Sequence, residues 1–276
     1  MTNNSLNLSN LRLAVLIDAE NIPRNCIKRV LEEIAIYGTP TIKRIYGDWT
    51  SPVVSGWKSS LLENAITPIQ QYSYTQGKNS SDSAMIIDAM DILYTERTDG
   101  FVIVSSDSDF TRLVIRLREA GQRVIGIGER KTPSAFIAAC DKFTYIEVIN
   151  KRHAETLAAE NEAQSETEDQ SENGQKSQSS HKNKSQNAAK QRTTPVPQEV
   201  IELIADSVAA LAGDSGSVFM GELGNLILKK QPDFDHRNFG HKSLSSMIKS
   251  IDRFETDFRQ TTDPNIKHVF VRDKES

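Results

Sequence analysis

The chain has 276 residues, 25% of them charged and 37% hydrophobic, which is room for one large or two ordinary domains and excludes collagen-like, wholly disordered and disulfide-scaffold proteins. Its 33 Lys and Arg against 37 Asp and Glu leave a net charge of −4, so nucleic acid is not held by a bulk positive field. No apolar run approaches the roughly 20 residues of a bilayer span, and the opening MTNNSLNLSN lacks the basic and apolar parts of a secretory signal. A cytoplasmic protein with no membrane partner is expected. Cys26 and Cys140 are too few for a disulfide framework or a cysteine zinc site and read as small buried hydrophobes.

In chain order, short apolar runs predict strands at Leu13–Ile17, Ile42–Tyr46, Pro68–Tyr72, Phe101–Ser105, Arg123–Ile127 and Tyr145–Ile149. Helical patterns fall between them at about 23–37, 53–64, 82–95, 109–120 and 133–141. Such alternation predicts a mostly parallel sheet covered on both faces, with ligands bound beyond the carboxyl ends of the strands. Residues 151–195 hold no Val, Ile, Phe, Tyr or Trp and read as a disordered linker, acidic and then basic through Lys176, Lys182, Lys184, Lys190 and Arg192. Beyond it, helices near 197–211, 219–230 and 242–250 precede two strands, Phe254–Arg259 and Lys267–Arg272, joined through Asp263, Pro264 and Asn265. That is the outline of a small α+β winged helix. The chain thus divides into 1–150, 151–195 and 196–276.

Acids collect at strand ends. LAVLIDAEN leaves an apolar strand at Asp18 and continues to Glu20 and Asn21, while FVIVSSDSDF gives Ser105, Ser106, Asp107 and Asp109. Asp82, behind the N-cap candidate Ser81, shares a helical face with Met85, Ile86, Ala89 and Leu93, whereas Asp88 and Asp91 point away and read as solvated surface acids. The alternative for Asp18 is a cap on the next helix, with Pro23 soon after, and Ser-Asp-Ser-Asp is itself a respectable helix start. As a group, Asp18, Asp82, Asp107 and Asp109 repel one another unless a hard divalent cation lies between them. Oxygen donors without Cys or His favour Mg²⁺ or Mn²⁺. Such a centre suits phosphodiester hydrolysis. Gly126 and Gly128 lack the third glycine of a dinucleotide fingerprint, there is no Walker lysine, and the first 150 residues contain no His for Ser-His catalysis.

Three ordered segments, Leu13–Asn21, Lys78–Met90 and Phe101–Phe110, resemble the NYN domain of the PIN-like ribonuclease group. The resemblance implies a Rossmann-type parallel sheet and a Mg²⁺- or Mn²⁺-dependent nuclease site. It implies that Asp18, Asp82 and Asp107 coordinate the metal, that Asn21 is their polar partner, and that Asp109 is an accessory ligand or water positioner. Ser106 stands where many NYN sequences have Gly. Residues 235–244 (DHRNFGHKSL), with Ser246–Lys249, resemble an OST-HTH/LOTUS domain, which implies binding of RNA, G-rich or structured, or of a protein partner or second copy. The cations that would touch RNA are Arg44, Lys58 and Lys78 beside the cleft and Arg237, His241, Lys242 and Lys249 in the C-terminal module, with Lys229 and Lys230 nearby. Tyr46, Trp49, Trp57, Tyr72 and Tyr74 are either core or stacking platforms for bases. The expected function is a metal-dependent ribonuclease with an RNA-selecting module on a flexible tether. The alternatives are a catalytically silent RNA-binding adaptor and a DNA-directed nuclease.

Overall fold

The computed structural model describes residues 11–52, 54–72, 80–95, 98–154, 195–213, 216–260 and 267–275. Six parallel strands run β1 (Arg12–Asp18), β2 (Thr39–Gly47), β3 (Thr67–Gln70), β4 (Gly100–Val104), β5 (Arg123–Gly128) and β6 (Lys142–Tyr145). They are ordered β3-β2-β1-β4-β5-β6. Both faces are covered, and the alternation of side chains along β1 shows how. Leu13, Val15 and Ile17 enter one core with Ile27, Val30 and Ile34 of α1 (Ile27–Ile34). Ala14 and Leu16 enter the other with Met85, Ala89 and Ile92 of α3 (Ser80–Thr95) and with Leu113, Val114 and Leu117 of α4 (Thr111–Glu119). Between β2 and β3 lies α2 (Lys58–Asn64), which ends on Ala65 in the left-handed conformation at φ 50°. α5 (Ser134–Ala139) precedes β6, and residues 146–154 form α6. Among the described residues, no helix is long and apolar enough to cross a membrane.

Strand order is the constraint that positions function. From β1 the chain builds outward through β2 and β3 on one side, then returns to β4 on the other, so β1 and β4 flank the point where the winding reverses. In parallel sheets of this order, that point opens a crevice beyond the strand carboxyl ends. Asp18 ends β1, and the segment after β4 carries Asp107 and Asp109.

The C-terminal region contains α7 (Gln198–Leu211), α8 (Met220–Lys230) and α9 (Leu244–Lys249), with an antiparallel sheet β7-β9-β8 built from Val218–Phe219, Lys267–Asp273 and Phe254–Gln260. These elements surround a separate core that includes Ile204, Leu223, Ile227, Met247, Ile248 and Val271. The helices and hairpin are those of a winged helix, as expected. The two-residue β7 carries too little pattern to read in advance.

Several local expectations change. The apolar run Tyr145–Ile149 is not a strand: β6 stops at Tyr145, and Ile146 and Ile149, three apart, pack as one helical face into the first core. Residues 151–154, expected to open the linker, continue that helix; residues 155–194, with the five basic linker positions, are outside the described set, as are Asp263, Pro264 and Asn265. Asp88 is not a solvated acid, because it accepts hydrogen bonds from Arg44 and from the hydroxyl of the fully buried Tyr46.

The C-terminal module docks on the outer edge of β6. The Phe143 amide donates to the Pro232 carbonyl at 2.9 Å, satisfying an edge-strand donor, and the Tyr145 hydroxyl donates to Asp233 at 2.7 Å. Arg237 joins the two parts. Its guanidinium donates to both carboxylate oxygens of Glu33 on α1 at 2.8 and 2.6 Å, and to Asp235 at 2.6–3.0 Å, with Glu33 at 2% and Arg237 at 18% side-chain exposure. Burial pushes the Glu33 and Asp235 carboxyls up, yet the hydrogen bonds and charge of Arg237 outweigh it and hold both below the usual carboxylate range.

An acid with a lowered native pKa contributes stability above its unfolded value that is lost as pH falls through the folded one, so this joint should weaken below about pH 4. Arg237→Ala leaves buried Asp235 without its bidentate partner and buried Glu33 with only the exposed Arg152 at 3.5 Å, and should cost about 3–5 kcal/mol at neutral pH. Urea midpoints of the full chain from pH 3 to 7 check both: the wild-type midpoint should drop in acid, and the variant should start lower and drop less. Equal midpoints at pH 7 would contradict the assignment.

Candidate functional site

Adjacent strands lie about 4.8 Å apart, and β1 pairs β4 with Ile17 opposite Val104, so the next residues out, Asp18 and Ser105, face each other across the mouth. Both are buried. Ser105 Oγ donates to Asp18 Oδ2 at 2.8 Å and accepts from the Asp107 amide at 3.1 Å, which ties the two strand ends together through one hydroxyl. Asn21 Nδ2 donates to the same Asp18 oxygen at 2.7 Å, and the Glu20 amide to Oδ1 at 3.1 Å. An ionised carboxylate has about four acceptor sites, so three are already taken and Asp18 is rigidly oriented.

Beyond β4, Asp107 caps the single 3₁₀ turn Ser108–Phe110 that leads into α4, its side chain accepting from the Asp109 amide at 2.9 Å. The helix-start role open to this segment is therefore realised, and it coexists with a second one. Asp82 lies in the first turn of α3 on the stripe of Met85, Ala89 and Ile92, and this aims it at the same mouth. One carboxylate oxygen from each of Asp82, Asp107 and Asp109 lies within 4.8 Å of the others. Asp18, expected within a triad with Asp82 and Asp107, is outside this group and stands behind it, acting on Asp82 through its charge.

Burial pushes the Asp82 carboxyl up, and the charges of Asp18, Asp107, Asp109 and Glu20 push it further, to about 7. Burial and the charges of Asp18 and Asp48 likewise raise Glu20. The donor set is oxygen only, carboxylate-rich and mutually repulsive, and so fits a hard divalent cation.

A second hydroxyl supports the turn. Ser106 Oγ accepts from the Glu129 amide at 2.9 Å, and Thr132 Oγ1 donates to the Glu129 carbonyl at 2.6 Å. A Cβ on Gly128 would lie 2.6 Å from the Ser105 carbonyl oxygen and 2.8 Å from Thr132 Oγ1, so that glycine serves close packing behind the site. Sequence reasoning passed over Ser105, Glu20 and Asp48 as parts of the site. The readable signal for Ser105 was its register, one step past the apolar run of β4 and on the same face as Phe101 and Ile103.

The expected RNA-facing cations divide. Arg44 is paired with Asp88, and Arg237 is held in the joint with Glu33, both drawn into intramolecular charge networks by burial. His241 is 6% exposed, its ring within 3.4 Å of Ser250 Oγ, and burial lowers its pKa. Lys58, Lys229, Lys230, Lys242 and Lys249 are exposed, with Lys249 lying 4.6 Å over the ring of the exposed Phe258. Lys78 and Tyr74 lie outside the described residues. Tyr46 and Trp57 are core, Trp49 Nε1 donates to the Ile69 carbonyl at 2.9 Å, and Tyr72 is exposed.

Comparison with known proteins agrees with this fold. A sequence model of the NYN domain matches residues 12–147, the α/β sheet with its acidic strand ends. One for the OST-HTH/LOTUS domain matches residues 192–266. The chain therefore carries an NYN domain followed by an OST-HTH/LOTUS domain. The first indicates a PIN-like nuclease fold and the second RNA binding. Among solved structures, VPA0982 from Vibrio parahaemolyticus RIMD 2210633, a protein of unknown function, is 19% identical, covers 53% of this chain and 96% of its own, and has a TM-score of 0.43. An uncharacterized protein from gene locus NE0665 of Nitrosomonas europaea is 30% identical over 37% of this chain and 92% of its own, with a TM-score of 0.28. No curated protein matches the chain.

Two outcomes follow from the site. A raised carboxylate pKa contributes stability below the unfolded value that is lost as pH rises through the folded one, so without metal the fold should weaken between about pH 4 and 7. Asp82→Asn should flatten that slope and raise Tm at pH 8 by a few degrees, given about 1 kcal/mol after solvent screening. Thermal melts in EDTA test it, and an unchanged slope would contradict the reading. Ser105→Ala removes a buried donor to Asp18 and should cost about 1–3 kcal/mol of stability and about 10–100-fold in Mn²⁺ affinity, measured by calorimetry.

Proposed function

We propose that the protein is a divalent-metal-dependent ribonuclease of the cytoplasm, a hydrolase of RNA phosphodiester bonds, whose OST-HTH/LOTUS module binds or selects structured, G-rich RNA. The observation that carries this reading is the convergence of Asp82, Asp107 and Asp109 at the mouth between β1 and β4, with Asp82 pushed up to about 7 by burial and its acidic neighbours. A Mg²⁺ or Mn²⁺ held there would neutralise charge on the scissile phosphate and favour ionisation of a water.

The residues then divide the work. Asp82 and Asp107 are ligands presented by the first turn of α3 and by the turn after β4. Asp18 supports them from β1, locked by Ser105, Asn21 and the Glu20 amide. Asp109, exposed at the rim, orients the attacking water and receives its proton. The absence of His and Cys from the described part of the mouth disfavours zinc chemistry. RNA is favoured over DNA by the OST-HTH/LOTUS module, and Lys58, Lys242 and Lys249 are exposed cations that can neutralise its phosphates.

Purified Asp107→Asn should keep its circular-dichroism spectrum and lose more than about 100-fold in the rate of RNA decay, since even the loss of a partner behind a metal ligand costs about 10–100-fold. The assay uses labelled single-stranded RNA, G-rich structured RNA and DNA, each with Mg²⁺, Mn²⁺ or EDTA. Decay by the variant at the wild-type rate would remove Asp107 from the site. Binding without cleavage by the wild type in any metal would turn the reading into the adaptor.

A further inference from the structure

The C-terminal module joins the nuclease domain through groups that a free tether has no use for. Glu33 is nearly sealed from solvent on α1, and its carboxylate is gripped by Arg237, a residue 204 positions away in sequence. The same seam takes the outward amide of Phe143 on the edge strand and the hydroxyl of Tyr145. On its own side Glu33 has only the exposed Arg152 at 3.5 Å, so separation of the two parts costs Glu33 its close bidentate partner and must rehydrate the buried charges of the seam. The seam also reaches the loop behind the site. The Glu129 amide donates to Ser106, the neighbour of Asp107, and the next residue, Arg130, donates to Asn238 at 3.3 Å while its guanidinium covers the Tyr145 ring at 5.1 Å.

We propose that Glu33, Arg237 and Asp235 lock the two domains into one rigid unit, so that RNA gripped by the C-terminal module reaches the carboxylate mouth across a fixed span and is cut at a set distance from the gripped element. This rests on the ribonuclease reading for the cut and stands on the seam alone for the lock. The favoured substrate is a structured RNA with a single-stranded tail long enough to cover the span. A tethered module would instead allow many spans. The sequence motif around Arg237 is thus a docking motif directed at the chain's own α1, and the exposed Lys242 and Lys249 move with the mouth as one body.

The test uses the full chain with exposed cysteines introduced by Leu62→Cys and Glu222→Cys, the native Cys26 and Cys140 being buried. Spin labels on them report the interdomain distance by pulsed electron resonance. A single narrow distribution is expected, and Glu33→Lys should broaden it. That substitution leaves the bonds between Arg237 and Asp235 intact, so the C-terminal module keeps its own fold. A broad wild-type distribution, or a narrow one unmoved by Glu33→Lys, overturns the lock. On a G-rich structured RNA with an end-labelled single-stranded tail, wild-type cuts should fall at one spacing and Glu33→Lys cuts should scatter over many. Scattered wild-type cuts from a chain with a narrow distribution overturn the fixed span. No cuts at all with a narrow distribution sinks the ribonuclease reading while upholding the lock.

Discussion

Like charges do not gather in a half-buried mouth without a cause, and this fold brings at least four carboxylates to one. The strand order makes it unavoidable: β1 and β4 are neighbours at the point where the sheet reverses its winding, so the chain leaving each must pass the other. Asp18 and the turn bearing Asp107 and Asp109 follow from that, and the first turn of α3 adds Asp82 from the adjoining face. Part of the repulsion is relieved locally, by amides and hydroxyls that donate to Asp18 and Asp107. Burial first, and then the remaining repulsion, push the Asp82 carboxyl up to about 7. A doubly charged cation held there would resolve it, and under the proposed function the same cation would serve phosphodiester hydrolysis.

The neutral groups behind the acids matter as much as the acids. Ser105 bridges two strand ends with one hydroxyl, and Ser106 anchors the turn to the loop after β5. Gly128 brings that loop near enough for the anchoring to work. The site is therefore carried by the sheet itself, where a small displacement of one strand end would be felt at every ligand.

Much of this was legible in the residues. The apolar runs of β1, β4 and β5 are buried on both faces, and continuous hydrophobicity flanked by acids is a strong signal wherever parallel strands end. The helical stripe of Met85 and Ala89 correctly aimed Asp82 inward. What failed to show depends on partners far away in sequence. Arg237 reads as an RNA-facing cation in a nucleic-acid motif and Asp88 as a solvated residue, yet each is fixed by a side chain or domain that periodicity does not reveal, and nothing in the local pattern marks Glu33 as the partner of Arg237. Ile146–Ile149 misread for a related reason: β-branched residues favour strands locally, but their packing against the first core selects a helix.

Diffraction at the manganese absorption edge from crystals soaked in Mn²⁺ tests the central claim most directly, because it locates the cation without relying on turnover. An anomalous peak within about 2.0–2.6 Å of oxygens from Asp82, Asp107 and Asp109 is predicted. Well-ordered carboxylates with no peak between them, at a Mn²⁺ concentration that fills other sites in the crystal, would contradict it.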